Sequence, residues 1–103
     1  MTHCLKCEAQ HYQAVVQGQK TFELRKNDRN FQVGDTIILQ EIEQTMDGKK
    51  SRPTGDEWIV KITHILSDYK GLYKDYVILG ITHGRQFQSP NNLFDFDSDE
   101  EDE

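Results

Sequence analysis

From Glu57 to Ser67 the chain alternates with a period of two. Trp58, Val60, Ile62, His64 and Leu66 share one face, with Ile59, Lys61, Thr63 and Ile65 on the other. Successive strand side chains point to opposite faces, so this segment is expected to be the longest strand of the fold.

Thr2 to Cys7 reads as a short strand with His3, Leu5 and Cys7 on one face. From Glu8 to Gln17 the period changes. Ala9, Tyr12, Val15 and Val16 form one stripe of a short helix, Glu8 suits its N-terminal dipole, and Gly18 is a stop signal. From Thr21 the period returns to two, Phe22 and Leu24 alternating with Thr21, Glu23 and Arg25. Val33-Gly34-Asp35 is a turn into a β-branched strand from Thr36 to Glu43. Gln44 to Asp56 reads as a polar, basic connection, Ser67 to Asp75 as a Tyr-rich loop, and Tyr76 to Thr82 as a last strand. One main N-terminal helix and about five to six strands make a mostly β (α+β) domain. Such a chain hides its edges most readily by curling into a small barrel.

The 103 residues fit one domain, placed at residues 1–87. No apolar run reaches the roughly 20 residues of a membrane-spanning helix, and the polar N-terminus carries no secretory signal, so a cytoplasmic location is expected. The net charge of -6 is unevenly spread: seven of the 18 acids lie within residues 95–103, and Met1 to Phe94 carries +1. Residues 88–103 therefore read as an acidic tail, expected to be disordered because it repels itself and buries little. It is either a solubility device or a phosphate mimic, and a handle for a basic partner protein is a third use.

Cys4 and Cys7 form a single CxxC near His3 and His11. One such pair without a second is weak evidence for zinc, and three residues apart on a strand the thiols face opposite ways. No metal site or cofactor is expected.

Chemistry concentrates between Gly18 and Arg29. Glu23 and Arg25, two apart on a strand, share the face opposite Phe22 and Leu24, so they can pair and orient the guanidinium fork toward a planar or phosphate-bearing ligand. Lys20 joins them only if regular strand pairing starts after it. The bland alternative is a solvated charge ladder. Of the remaining histidines, His64 is expected in the core and His83 in solvent.

Gly18-x-Lys20-x-x-Glu23-x-Arg25 resembles the GxKxxExR signature of ASCH domains, in the PUA-like superfamily. The closer likeness is to a small bacterial and phage group, the DUF3850 type. It rests on His3-Cys4-Leu5-Lys6, Lys26-Asn27-Asp28-Arg29, Val33-Gly34-Asp35, Glu41 and Tyr76-Val77-Ile78, and it covers about residues 2 to 82.

The resemblance implies a PUA-like pseudo-barrel with a cleft beside the first helix, taking single-stranded RNA or a modified nucleotide. Lys20 and Arg25 would meet phosphate or a carbonyl oxygen. Glu23 would accept from an exocyclic amine or hold Arg25 in place, and His3 would lie near the cleft. Lys26, Arg29, Lys49, Lys50 and Arg52 would add phosphate contacts, and Tyr69, Tyr73 and Tyr76 would offer stacking surfaces.

Some ASCH proteins resemble amidohydrolases acting on an acylated cytidine, which gives an alternative with Lys20 and Glu23 as catalytic residues. Those relatives carry a Thr where this chain has Glu23. Thr21 is the nearest hydroxyl, and Glu57 the candidate for their second acid.

Overall fold

The computed structural model describes residues 1–87; the acidic tail lies outside the described residues. The elements run β1 (Thr2–Glu8), α1 (Ala9–Val16), β2 (Phe22–Lys26), β3 (Thr36–Gln44), β4 (Ser51–Leu66), β5 (Tyr76–Ile81) and β6 (Arg85–Gln86). The fold is mostly β, with one short helix, as the alternation predicts.

The strands form one sheet in the order β1-β3-β4-β5-β2, with β6 added on β4. β1 lies parallel to β3, with Leu5 opposite Leu39. The other ladders are antiparallel. The long strand β4 serves both halves, pairing β3 through its first part and β5 through its last. The core lies on the inner faces of these strands and under α1: Leu5, Tyr12, Val15, Ile37, Leu39, Val60, Ile62, Val77 and Leu79 are all buried. Removing this apolar surface from water is the main favourable contribution to such a fold.

Three expectations are corrected. The sheet is not closed into a barrel: β1 and β2 stand at opposite ends of the strand order with no backbone ladder between them. Arg25 of β2 reaches the Lys6 carbonyl of β1 across that gap.

The polar connection from Gln44 to Asp56 is largely strand. Gln44 pairs Ser51, Glu43 pairs Arg52 and Ile42 pairs Pro53, leaving a short turn around Asp47-Gly48. Pro53 is tolerated because the ladder is interrupted there by a register shift between Gln40 and Ile42.

His64 is exposed rather than buried in the core. A register shift between Ile62 and His64 breaks the alternation of β4, and Ile65 packs on the core in its place. An extra residue in one strand reverses which side chains face inward beyond it.

Strand β2 runs against hydrophobic intuition. Phe22 and Leu24 are 48% and 55% exposed, whereas Glu23 is only 3% exposed. The charged face of β2 is the inward one.

Candidate functional site

Backbone geometry places Lys20 before β2 begins. Helix α1 ends at Val16, and Gly18, just past the cap residue Gln17, has a φ of +77° that a residue with a Cβ adopts only at a cost. The amides of Gly18, Gln19 and Lys20 donate to carbonyls of Val15 and Ala14, at 3.0, 2.9 and 3.0 Å, which winds the chain back over the helix end. His83 contacts the Val16 carbonyl oxygen at 3.2 Å through Nε2, and the Trp58 indole donates to the His83 carbonyl at 2.7 Å. His83 is exposed, as expected. At Gly84 a Cβ would lie 2.2 Å from the Ile59 carbonyl oxygen, so this return of the chain onto β4 admits no side chain.

Regular pairing of β2 begins at Phe22, so Lys20 is free to turn toward Glu23. Its Nζ donates to Glu23 Oε2 at 2.5 Å. Arg25 Nε donates to Glu23 Oε1 at 3.1 Å, and Arg25 Nη2 lies 3.0 Å from the same oxygen. Nη2 also donates to the Lys6 carbonyl oxygen of β1, at 2.7 Å. One buried carboxylate thus holds two cations whose side chains are 16% and 25% exposed. A charge is tolerated in such a place only when paired and hydrogen-bonded, which Glu23 is on both oxygens.

The trio lies in a cleft of about 420 Å³ between the free sides of β1 and β2, lined further by Cys7, Glu8, His11 and Phe22. Lys20 Nζ stands 5.1 Å from the centre of the Phe22 ring. The Cys7 thiol is pushed up to about 11, first by burial and then by the Glu23 carboxylate, with Lys20 and Arg25 opposing. It meets the cleft as a neutral, weakly polar group.

Of the residues proposed from sequence, Lys20, Glu23 and Arg25 come together. His3 does not join them. It is buried on β1, its Nε2 2.8 Å from Asp35 Oδ2 and its ring edge-on to Phe31. The His3 hydrogen bond, the Gln32 amide and the N-terminal amine hold the Asp35 carboxyl down at about 2, against the opposing effect of burial.

Lys26 and Arg29 are exposed outside the cleft lining, Arg29 lying 3.9 Å from Asp28. Arg52 Nε donates to Glu43 at 3.1 Å on the outside of the β3–β4 hairpin. Lys49 and Lys50 line a separate, larger hollow of about 550 Å³ at the tip of that hairpin, which contains no buried charged group. Tyr73 and Tyr76 stack edge-on at 6.1 Å, and with Tyr69 they are exposed and outside the cleft lining.

Glu57 accepts from Gln40 Nε2 at 3.1 Å, on β4 and away from the cleft lining. Glu41 is a third buried carboxylate beside Glu23 and Asp35, accepting from Gln13 at 3.0 Å and Thr54 at 2.8 Å. Residues 95–103, read as a phosphate mimic or a handle for a basic partner, lie outside the described residues.

Cys7, Glu8 and His11 were not singled out as site residues. The alternation of β1 did turn Cys7 inward. What sequence lacks is the approach of the β1 end to β2, which depends on the order of strands across the whole sheet.

Cys4 is exposed and Cys7 buried, both as free thiols, and no cluster of three or more His, Cys, Asp and Glu suited to a metal occurs among the described residues. No helix among them is long and apolar enough to cross a membrane.

Residues 2–81 match the family described as Domain of unknown function (DUF3850). The chain belongs to this family. The DUF3850 match spans β1 through β5 and so contains the entire Lys20–Glu23–Arg25 cleft. The chain is also 35% identical over 78 residues to a 12.9 kDa protein in the GpA 3' region of Escherichia phage P2, covering 75% of this chain. The match spans 64% of that phage protein's length, just under two thirds.

Proposed function

We propose that this DUF3850 domain is a cytoplasmic module that binds single-stranded RNA or a modified nucleotide in the cleft between β1 and β2. One observation carries the reading: two cations are held on one buried carboxylate, recessed beside an exposed aromatic ring. Such an arrangement is built to meet an acceptor-bearing ligand, because the donors left on Lys20 and on Arg25 Nη1 are held in place before anything arrives. Glu23 serves by holding Arg25 and Lys20, both of its oxygens being engaged. The body carries only +1, so binding rests on this local site and not on bulk charge. The GxKxxExR pattern, now seen to line a cleft, supports placing the domain with the ASCH group. In a fluorescence titration with short single-stranded RNA, Arg25→Ala is expected to weaken binding about tenfold or more. Equal affinity of the two proteins would remove the cleft from the account.

One observation favours a second reading, amidohydrolysis of an acylated cytidine-type nucleoside: the direct Lys20–Glu23 contact could pass a proton. Thr21 is exposed, and the acid sought at Glu57 is bonded to Gln40 instead. Product formation by wild type that vanishes in Lys20→Ala would support hydrolysis, and no product at high enzyme concentration would dismiss it.

A further inference from the structure

The hydrogen bonds inside the cleft determine which base edge it can accept. Arg25 Nε donates to Glu23, and Nη2 donates to the Lys6 carbonyl while lying 3.0 Å from Glu23 Oε1. Two N–H groups remain on Nη1. Lys20 spends one donor on Glu23 and keeps two. Glu23 is 3% exposed and bonded on both oxygens, and Cys7 is a neutral thiol, so the charged groups left to meet a ligand are the donors of Lys20 and Arg25. The carboxylate at the mouth is Glu8, its side chain 64% exposed, with a 3.9 Å contact to His11. Donors lie deep, and an acceptor lies at the rim.

Resting on the nucleic-acid reading above, we infer that the cleft selects a 6-keto purine edge, guanine in RNA, over the 6-amino edge of adenine. Guanine presents two adjacent acceptors, O6 and N7, on one edge, and the free donors of Lys20 and of Arg25 Nη1 can meet the two together. Its N1–H and N2–H₂ donors lie on another edge, where a carboxylate such as Glu8 accepts. Adenine carries an amino donor where O6 would be, and that donor would face Lys20 and Arg25 with no acceptor to receive it. Glu23 offsets only one of the two cations, and the charge left over attracts the phosphate of any nucleotide alike, so discrimination between bases rests on the keto and amino groups. The exposed Phe22 ring gives the purine a face to stack on.

The test uses short uridine oligomers carrying one central guanosine, adenosine or 7-deazaguanosine, titrated against the full chain. Charge and length are constant across the three, so phosphate contacts cancel. The guanosine oligomer is expected to bind about tenfold tighter than the adenosine one, with 7-deazaguanosine losing most of that advantage. Arg25→Lys, which keeps the charge and loses the planar fork, should bring the guanosine and adenosine affinities together while leaving the salt dependence of binding unchanged. Equal or reversed affinities for guanosine and adenosine in wild type overturn the selectivity and leave RNA binding standing. Failure of all three oligomers to bind overturns both.

Discussion

Arg25 Nη2 and the Lys6 carbonyl oxygen lie 2.7 Å apart, joining β2 to β1 where no backbone ladder does. A side chain thus spans the open side of the sheet, and the same guanidinium is tied to Glu23. The cleft and the seam of the fold are one feature, so substitutions there should register in both stability and binding.

Glu23→Ala should be the most damaging change in the cleft. It leaves Lys20 and Arg25 side by side without their shared carboxylate, and breaking a buried charge pair costs about 3–5 kcal/mol. Lys20→Met removes the more enclosed of the two cations but leaves Glu23 paired with Arg25, and should cost less, about 1.5 kcal/mol, the low end for a hydrogen bond to a charged group. Urea unfolding midpoints of the two variants against wild type separate these cases.

The outward rings of β2 should matter little to folding. Phe22→Ala and Leu24→Ala are expected to lower stability by no more than about 1 kcal/mol, against about 2–5 kcal/mol for Leu39→Ala in the core. Comparable losses for Leu24→Ala and Leu39→Ala in thermal denaturation would show β2 to be turned the other way.

Asp35 should make folding sensitive to acid. Its carboxyl titrates at about 2 in the fold against an ordinary 3.8, so the folded state binds fewer protons than the unfolded chain across that interval. The stabilisation is present above pH 3.8 and is lost as pH falls toward 2. Asp35→Asn should be less stable than wild type near neutrality, with the gap between the two narrowing through that window. A gap that stays constant from neutrality down through the window would contradict this assignment.

The two thiols should differ in reactivity. At pH 8, iodoacetamide is expected to label exposed Cys4 first, with Cys7 slow because burial and the nearby Glu23 carboxylate keep its thiol protonated up to about 11. Peptide mass spectrometry over time reads the two rates, and equal rates would place Cys7 in solvent.

Local periodicity made β1, α1, β2, β3 and β5 legible, because each is short enough for one face to be read from neighbouring residues. It failed where the chain departs from a single period. The bulge before His64 adds a residue that shows only in the pairing with Gly80, and the strand from Ser51 to Asp56 is imposed by its partner β3 in spite of Pro53 and Gly55. Lys20, Glu23 and Arg25 were legible as a group because Gly18 and the strand start lie close in sequence. His3 was misplaced for the opposite reason: its partner Asp35 is 32 residues away, and the inward face it shares with Cys7 extends well beyond the cleft. The inward turn of charged β2 also needed the fold. Nothing local distinguishes a buried Glu23 from a solvated one until two cations are seen to close around it.

The most direct test of the central claim is a chemical-shift map of the chain titrated with short single-stranded RNA. The account predicts perturbations centred on Cys7, His11, Lys20, Glu23 and Arg25, the residues of the β1–β2 cleft. Perturbations confined to the Lys49–Lys50 hairpin, or none at saturating RNA, would contradict it.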